Sequence, residues 1–426
     1  MTSTRREFLQ AATAAGVLAA SSSVTRLAWG APAPGTPLLV VVFLRGAADG
    51  LHLVGPSADP VYQSVRPPEM RVLDSGDRAG FALDRPLDAN AGFRLHAEAG
   101  ALAALYRGGR LAIAHAVGLT SGTRSHFVAQ DLMERGIADE SRIAGLDTGW
   151  LTRAQREAAA RAGADPAALL PAYSATAAPA YALRGTPSLL SGTDVAGGVG
   201  LPWGAATARF LRAASGEGAS VAAQATRGTL DLLETVDRRL PRDASGKVLP
   251  YASAASTSYE GAGELTRSLM SVARLARSDL GLQVACVDHG GWDTHDGQAG
   301  RFATQVRQLS TGLSAFHDDM QAAGRPTVVL VMTEFGRRLR ANASGGTDHG
   351  HASCWLLMGD GVQGGRMFGR WPGLNTPELD QGVDLAVTTD YRGLLAEVLR
   401  GCGLRSDASF PGAPAPNASA LGLMRA

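Results

Sequence analysis

Lysine is almost missing from this chain: of its 40 basic residues, Lys247 is the only lysine. The basic charge is therefore carried by arginine, in a composition also rich in alanine and glycine. No basic run is present, and the formal net charge is only +1. That excludes the electrostatic footprint a nucleic-acid-binding protein needs. Cysteine is scarce too. Cys286, Cys354 and Cys402 are odd in number and far apart, which argues against a disulfide framework. Two of them fall in apolar runs and read as small core residues, although one pair could still oxidise. Aromatic residues make up 6% of the chain, and the six tryptophans are dispersed, so no base-stacking platform is visible. Long hydrophobic runs are also lacking. The apolar stretch at 11–20 falls short of the roughly 20 residues a spanning helix requires, so no stable membrane anchor is expected.

That stretch has another reading. Thr4-Arg5-Arg6-Glu7-Phe8-Leu9-Gln10 matches the twin-arginine export pattern, and Ala28-Trp29-Gly30 offers the small residues a signal peptidase reads. Residues 1–30 are expected to be a signal peptide recognised by the twin-arginine translocase. The protein would then be periplasmic or secreted from a bacterium. Removing Arg5, Arg6, Arg26 and Glu7 takes away a net +2, so the stated +1 becomes −1 in the exported chain.

The remainder shows no Pro/Gly/Ser-rich linker and no internal repeat. It reads as one α/β domain over 37–426. Continuous apolar, β-rich runs at 37–44, 110–117, 282–288, 327–333 and 353–358 look like strands buried on both faces. Helical periodicity appears at 99–106, 126–135, 265–277, 302–322 and 390–399. The alternation predicts a doubly wound, mainly parallel sheet flanked by helices. Residues 150–263 differ: they are Ala/Gly-rich, repeatedly interrupted, and read as a helical insertion or cap.

Polar residues gather where the strands end. Asp49 follows the first run, with Arg45 beside it. Thr123, Arg124, Ser125 and His126 follow the second. Asp293 and His295 follow the 282–288 run, and Glu334 ends the next. Asp348, His349 and His351 lie in the glycine-rich loop beyond. Open α/β sheets bind ligands outside the carboxyl ends of their strands, so these segments should meet at one edge. Asp, Glu and neutral His are donors for divalent ions: zinc first, with magnesium, manganese and calcium also compatible. Asp49, His126, Asp293, His295, Glu334, Asp348, His349 and His351 are the candidate ligands. Ser125 stands where a loop enters a helix and could either cap it or act as a nucleophile. Arg45, Arg124 and Arg337 could grip a tetrahedral oxyanion. His96, His115 and His289 read as structural, and His317 as an exposed helix residue.

Five segments taken in order, RGAADGL at 45–51, TRSHFVAQD at 123–131, GWDTH at 291–295, TEFGRR at 333–338 and GTDHGHAS at 346–353, resemble the signatures of the domain of unknown function 1501. That family is grouped with the alkaline phosphatase and sulfatase-like superfamily. The resemblance implies an alkaline phosphatase-like α/β fold and a metal-dependent hydrolase of phosphate or sulfate esters. It also implies the roles: Asp49 on one metal, Asp293 and His295 on another, Asp348 and His349 as a DHG-type pair, His351 as the histidine that follows it, and Ser125 as nucleophile. The late histidine of such enzymes has no counterpart, because no histidine follows His351. The alternative is a non-catalytic periplasmic metal-binding or assembly protein on the same fold.

Overall fold

Leu38–Leu44 (β1) is buried along its whole length. A fully buried Leu or Val is stabilised by roughly 1.5–3 kcal/mol relative to exposure. A strand apolar at every position therefore belongs inside a sheet covered on both faces. The computed structural model, which describes residues 35–162, 169–186, 188–195, 198–216, 220–413 and 420–425, places it there. The expected signal peptide at 1–30 lies outside these residues.

Among the described residues the main sheet has nine strands: β1, Leu111–Gly118 (β2), Ala172–Ala175 (β3), Leu189–Ser191 (β4), Val284–His289 (β5), Thr327–Met332 (β6), Ser353–Gly359 (β7), Arg366–Phe368 (β8) and Thr389–Asp390 (β9). Their spatial order is β8-β2-β7-β6-β1-β5-β3-β4, and β9 pairs with β2. All pairings are parallel except those of β7, which runs against both β6 and β2. A second, three-stranded sheet joins Val54–Pro56, Phe93–Leu95 and Phe81–Ala82.

Successive side chains of β1 point to opposite faces. Leu38, Val40, Val42 and Leu44 join one core, with residues of helices Gly100–Arg107 (α1), Leu265–Ala276 (α6) and Gln298–Ala322 (α7). Leu39, Val41 and Phe43 join another, with residues of His126–Arg135 (α2), Trp150–Ala162 (α3) and Tyr391–Gly401 (α8). The architecture is thus a mixed α/β fold with a large, mostly parallel sheet covered on both sides.

Within 150–263 lie helices α3, Ala205–Ser215 (α4) and Val221–Arg239 (α5). Two strands form there as well. β3 pairs with β5, and β4 pairs with β3, so part of this segment extends the main sheet. Each is at most four residues long, too short for a period to show in the sequence. Among the described residues no helix is long and apolar enough to cross a membrane. Cys286, Cys354 and Cys402 are buried and free. His317, expected on an exposed helix face, is buried instead, and burial lowers its pKa.

Candidate metal centre

Four loops meet beyond the strand ends. Strand β7 explains how the last of these, the loop after β6, is placed. The chain between β6 and β7 contains no helix, so β7 returns antiparallel and its start lies at the same edge as the end of β6. The intervening loop doubles back on itself. Gly336 N–H donates to the His351 carbonyl (2.8 Å), Gly350 N–H to the Gly336 carbonyl (2.8 Å) and Arg338 N–H to the Asp348 carbonyl (3.0 Å). This short ladder sets His349 opposite Arg337.

His126, Asp293 and His349 form a cluster able to coordinate a metal ion, with their ligand atoms all within 4.8 Å of one another. His126 Nε2 lies 3.4 Å from Asp293 Oδ1, and His349 Nε2 lies 3.3 Å from the same oxygen. His295 joins from its loop: its Nε2 is 3.1 Å from Asp293 Oδ1 and 2.9 Å from His349 Nε2. Three imidazole nitrogens therefore surround one carboxylate oxygen.

The opposite ring nitrogens decide what the inner ones carry. His349 Nδ1 is 2.8 Å from the Arg124 carbonyl. A carbonyl only accepts, so Nδ1 holds the hydrogen and Nε2 presents a lone pair. His126 Nδ1 is 2.8 Å from Glu334 Oε1, and His295 Nδ1 is 3.4 Å from Asp348 Oδ1. Each ring thus backs onto an acceptor, as metal-bound histidines do. His126 Nε2 is buried without a hydrogen-bond partner. Bare lone pairs facing a carboxylate repel one another unless a proton or a cation sits among them, and Arg337 already donates to the same Asp293 oxygen.

Burial and the neighbouring charges act differently on each group of the cluster. Burial opposes ionisation of Asp293, but Arg337 and the neighbouring imidazoles outweigh it and hold its pKa at about 2. Burial likewise opposes ionisation of Glu334, yet hydrogen bonds from His126 and Gln130 keep its pKa below the usual carboxylate value. The Glu334 bond raises the pKa of His126, against the effect of burial. Burial lowers that of His349. A metal competes with protons for such nitrogens, and a neutral His349 leaves the lone pair free.

Arg337 ties the loops together. Its fully buried guanidinium donates to the carbonyls of Ala47 (2.8 Å), Gly46 (2.6 Å) and Thr347 (2.8 Å), and to Asp293. It is spent on the protein's own groups, so it is no oxyanion grip. Gly46 makes the crossing of loops possible. Its φ is +115°, and an added Cβ would stand 2.5 Å from the Asp293 nitrogen. Phe335 is buried beneath two of the imidazoles. Its ring stacks on His126 at 5.0 Å and lies 5.0 Å from His349.

The remaining sequence candidates are placed as follows. Asp49 is wholly buried and engaged elsewhere: its oxygens accept from Arg66 (2.7 and 3.0 Å), Gln298 (2.7 Å) and the His52 N–H (3.2 Å). Asp348 stands behind His295 and accepts from Asn342 (3.0 Å). Glu334 stands behind His126. His351 turns to the Leu119 carbonyl (2.9 Å) and Asp380 (3.1 Å). Ser125 is exposed at the start of α2, and its side chain makes no capping hydrogen bond. Arg124 pairs with Asp384 and Asp380, and Arg45 with Glu134 and Asp288. His96, His115 and His289 are buried, and burial pulls the pKa of each down to about 4.

Sequence reasoning passed over Gln130, Phe335 and Asn342. Only Gln130 left a signal: it sits one helical turn after His126, on the same face.

Residues 249–411 match the family described as Protein of unknown function (DUF1501). The matched region is less than half of the chain. It includes Asp293, His295, Glu334, Arg337 and His349, while His126 lies outside it. No curated protein matches the chain.

Proposed function

We propose that this protein is a metal-dependent hydrolase of phosphate or sulfate esters, acting after twin-arginine export to the bacterial periplasm or exterior. The observation that supports a metal is the convergence of the His126, His295 and His349 Nε2 atoms on Asp293, each ring backed by an acceptor. A donor set this rich in imidazole suits zinc better than magnesium or calcium, which prefer oxygen. One ion is the reading for this chain, since Asp49 is committed to Arg66. Such an ion supplies Lewis acidity toward an ester oxygen. Ser125, exposed beside His126 with its hydroxyl free of a capping role, is the candidate nucleophile. Its oxygen would bond to phosphorus or sulfur as the alcohol oxygen departs with a proton, and water would then release the acid.

A second reading draws on Arg124 and Arg45. Both are paired with internal carboxylates, which leaves neither guanidinium available to a bound oxyanion. That favours a non-catalytic metal-binding or assembly protein. One experiment separates the two. Native protein, purified without chelators, is assayed for metal by elemental mass spectrometry and for turnover of aryl phosphates and sulfates, beside His349→Ala and Ser125→Ala. The hydrolase reading expects about one ion per chain, lost in His349→Ala, and turnover lost in both variants. Metal without turnover on any ester supports the binding protein. A wild type free of metal defeats both.

A further inference from the structure

We infer that Gln130 and Arg45 are positioning residues for His126, forming a hydrogen-bonded line that fixes which of its ring nitrogens is bare. The inference deepens the metal reading above, and its zinc readout rests on that reading.

The line begins on one face of α2. His126, Gln130 and Glu134 follow one another at intervals of four residues, so they stack along the helix. Glu334 Oε1 receives three donors: the Gly46 N–H at 2.9 Å, Gln130 Nε2 at 2.7 Å and His126 Nδ1 at 2.8 Å. Its other oxygen accepts from the Thr333 hydroxyl at 3.0 Å. Gln130 turns its Oε1 to Arg45 NH1 at 3.3 Å. Arg45 is held in turn by Glu134 and Asp288, each at 2.9 Å.

Every step has one donor and one acceptor, and the order allows no reversal. A carboxamide is nearly symmetric in shape but opposite in polarity at its two ends. If Gln130 flipped, its oxygen would face the Glu334 carboxylate and its NH2 would face the Arg45 guanidinium. Both contacts would be repulsive, so Arg45 fixes the amide. The amide and the Gly46 N–H then fix the Glu334 carboxylate, which is buried and can only accept while ionised. That carboxylate fixes the hydrogen on His126 Nδ1 and turns the bare Nε2 toward Asp293. Glu134 and Asp288 also balance the Arg45 charge, so it stays partnered within the protein. This gives Arg45 a use that a substrate-gripping role would not explain.

Gln130→Met keeps the length and removes both ends of the amide. Arg45→Gln, which keeps donors at reduced reach, is the second variant should the first fail to fold. Two readouts are needed. The first is the ring-nitrogen NMR spectrum of His126 in metal-free protein, at alkaline pH where the ring is neutral. We expect the Nδ1–H tautomer in the wild type and a mixture of tautomers in both variants. The second is zinc affinity by competition with a chromogenic chelator, with thermal unfolding of the metal-free forms alongside. We expect affinity about 10–100-fold weaker, the range for removing groups that orient metal ligands, with little change in metal-free unfolding. A merely structural role would lower the unfolding temperature and leave the tautomer unchanged. The inference is overturned if the variants retain the pure Nδ1–H tautomer, or if zinc affinity is unchanged. Should the wild type bind no zinc, the metal reading falls, and the tautomer spectrum alone decides this one.

Discussion

A carboxylate followed by glycine at the end of a buried strand looks the same in sequence whether it meets a metal or an arginine. Asp49 shows the cost of that ambiguity. Its partner Arg66 is 17 residues away, in a stretch that carries no ligand-like pattern, so nothing local announces the pair. Both side chains are fully buried. Burial opposes ionisation of Asp49, but Arg66 overcomes it and leaves the pKa below the ordinary value. The folded value is the lower one, so the stabilisation is complete above about pH 4 and fades as pH falls through the folded value. Asp49→Asn leaves Arg66 charged and unpaired in the interior. We expect a loss of about 3–5 kcal/mol at neutral pH, the range for removing one partner of a buried pair. The difference from wild type should shrink as the pH is lowered below 4. Urea unfolding across that range measures it, and a constant difference would assign the stability to something other than the charge pair. The run Asp348-His349-Gly350-His351 marked the right loop but not the residue within it: His349 reaches the cluster, whereas His351 turns to the Leu119 carbonyl and Asp380.

Elements were read more easily than their directions. β1, β5 and β6 announce themselves through uninterrupted apolar runs, and α2 was legible from its first residue to its last. That β7 runs antiparallel was not legible, since a buried strand has the same composition in either direction. Yet this reversal puts the 333–352 loop at the ligand edge. The loop's own ladder then demands a close approach. A Cβ on Gly350 would stand 2.4 Å from the Arg337 carbonyl carbon and 2.5 Å from its oxygen. Both are backbone atoms of the residue that holds Asp293, so neither can yield cheaply. Gly350→Ala should therefore push His349 away from Asp293 and weaken metal binding by about tenfold or more. Equilibrium dialysis against zinc checks it. Gly345→Ala is the control within the same loop, because nothing lies within 4 Å of its added Cβ. Its φ of +68° adds backbone strain, about 1 kcal/mol, but no displacement of the histidine. Equal affinities in the two variants would mean that the ladder does not set the ligand.

At the scale of the whole molecule, the centre joins segments that the sequence keeps far apart. His126 enters on α2, Asp293 and His295 on the loop after β5, and His349 on the loop before β7. The sheet gathers them because β1, β2, β5 and β6 all end at one edge, and that gathering was legible once the strands were. The precise partners were not, because a side chain's choice between neighbours depends on sub-ångström packing that no periodicity encodes. An unfolded chain cannot hold these groups together, so an ion bound here stabilises the folded state alone. At a free concentration one hundred times its dissociation constant the gain is about 2.7 kcal/mol. Spread over the unfolding entropy of a chain this long, that corresponds to a rise of about 3 °C in Tm. Calorimetry of chelator-treated protein, titrated with zinc, should show this rise in the wild type and none in His349→Ala. Gln130→Met should reach the same rise only at higher zinc, because it retains the ligands and loses only their orientation. A rise that is identical in wild type and His349→Ala would place the ion elsewhere on the protein and return the four converging side chains to a purely structural part in the loop edge.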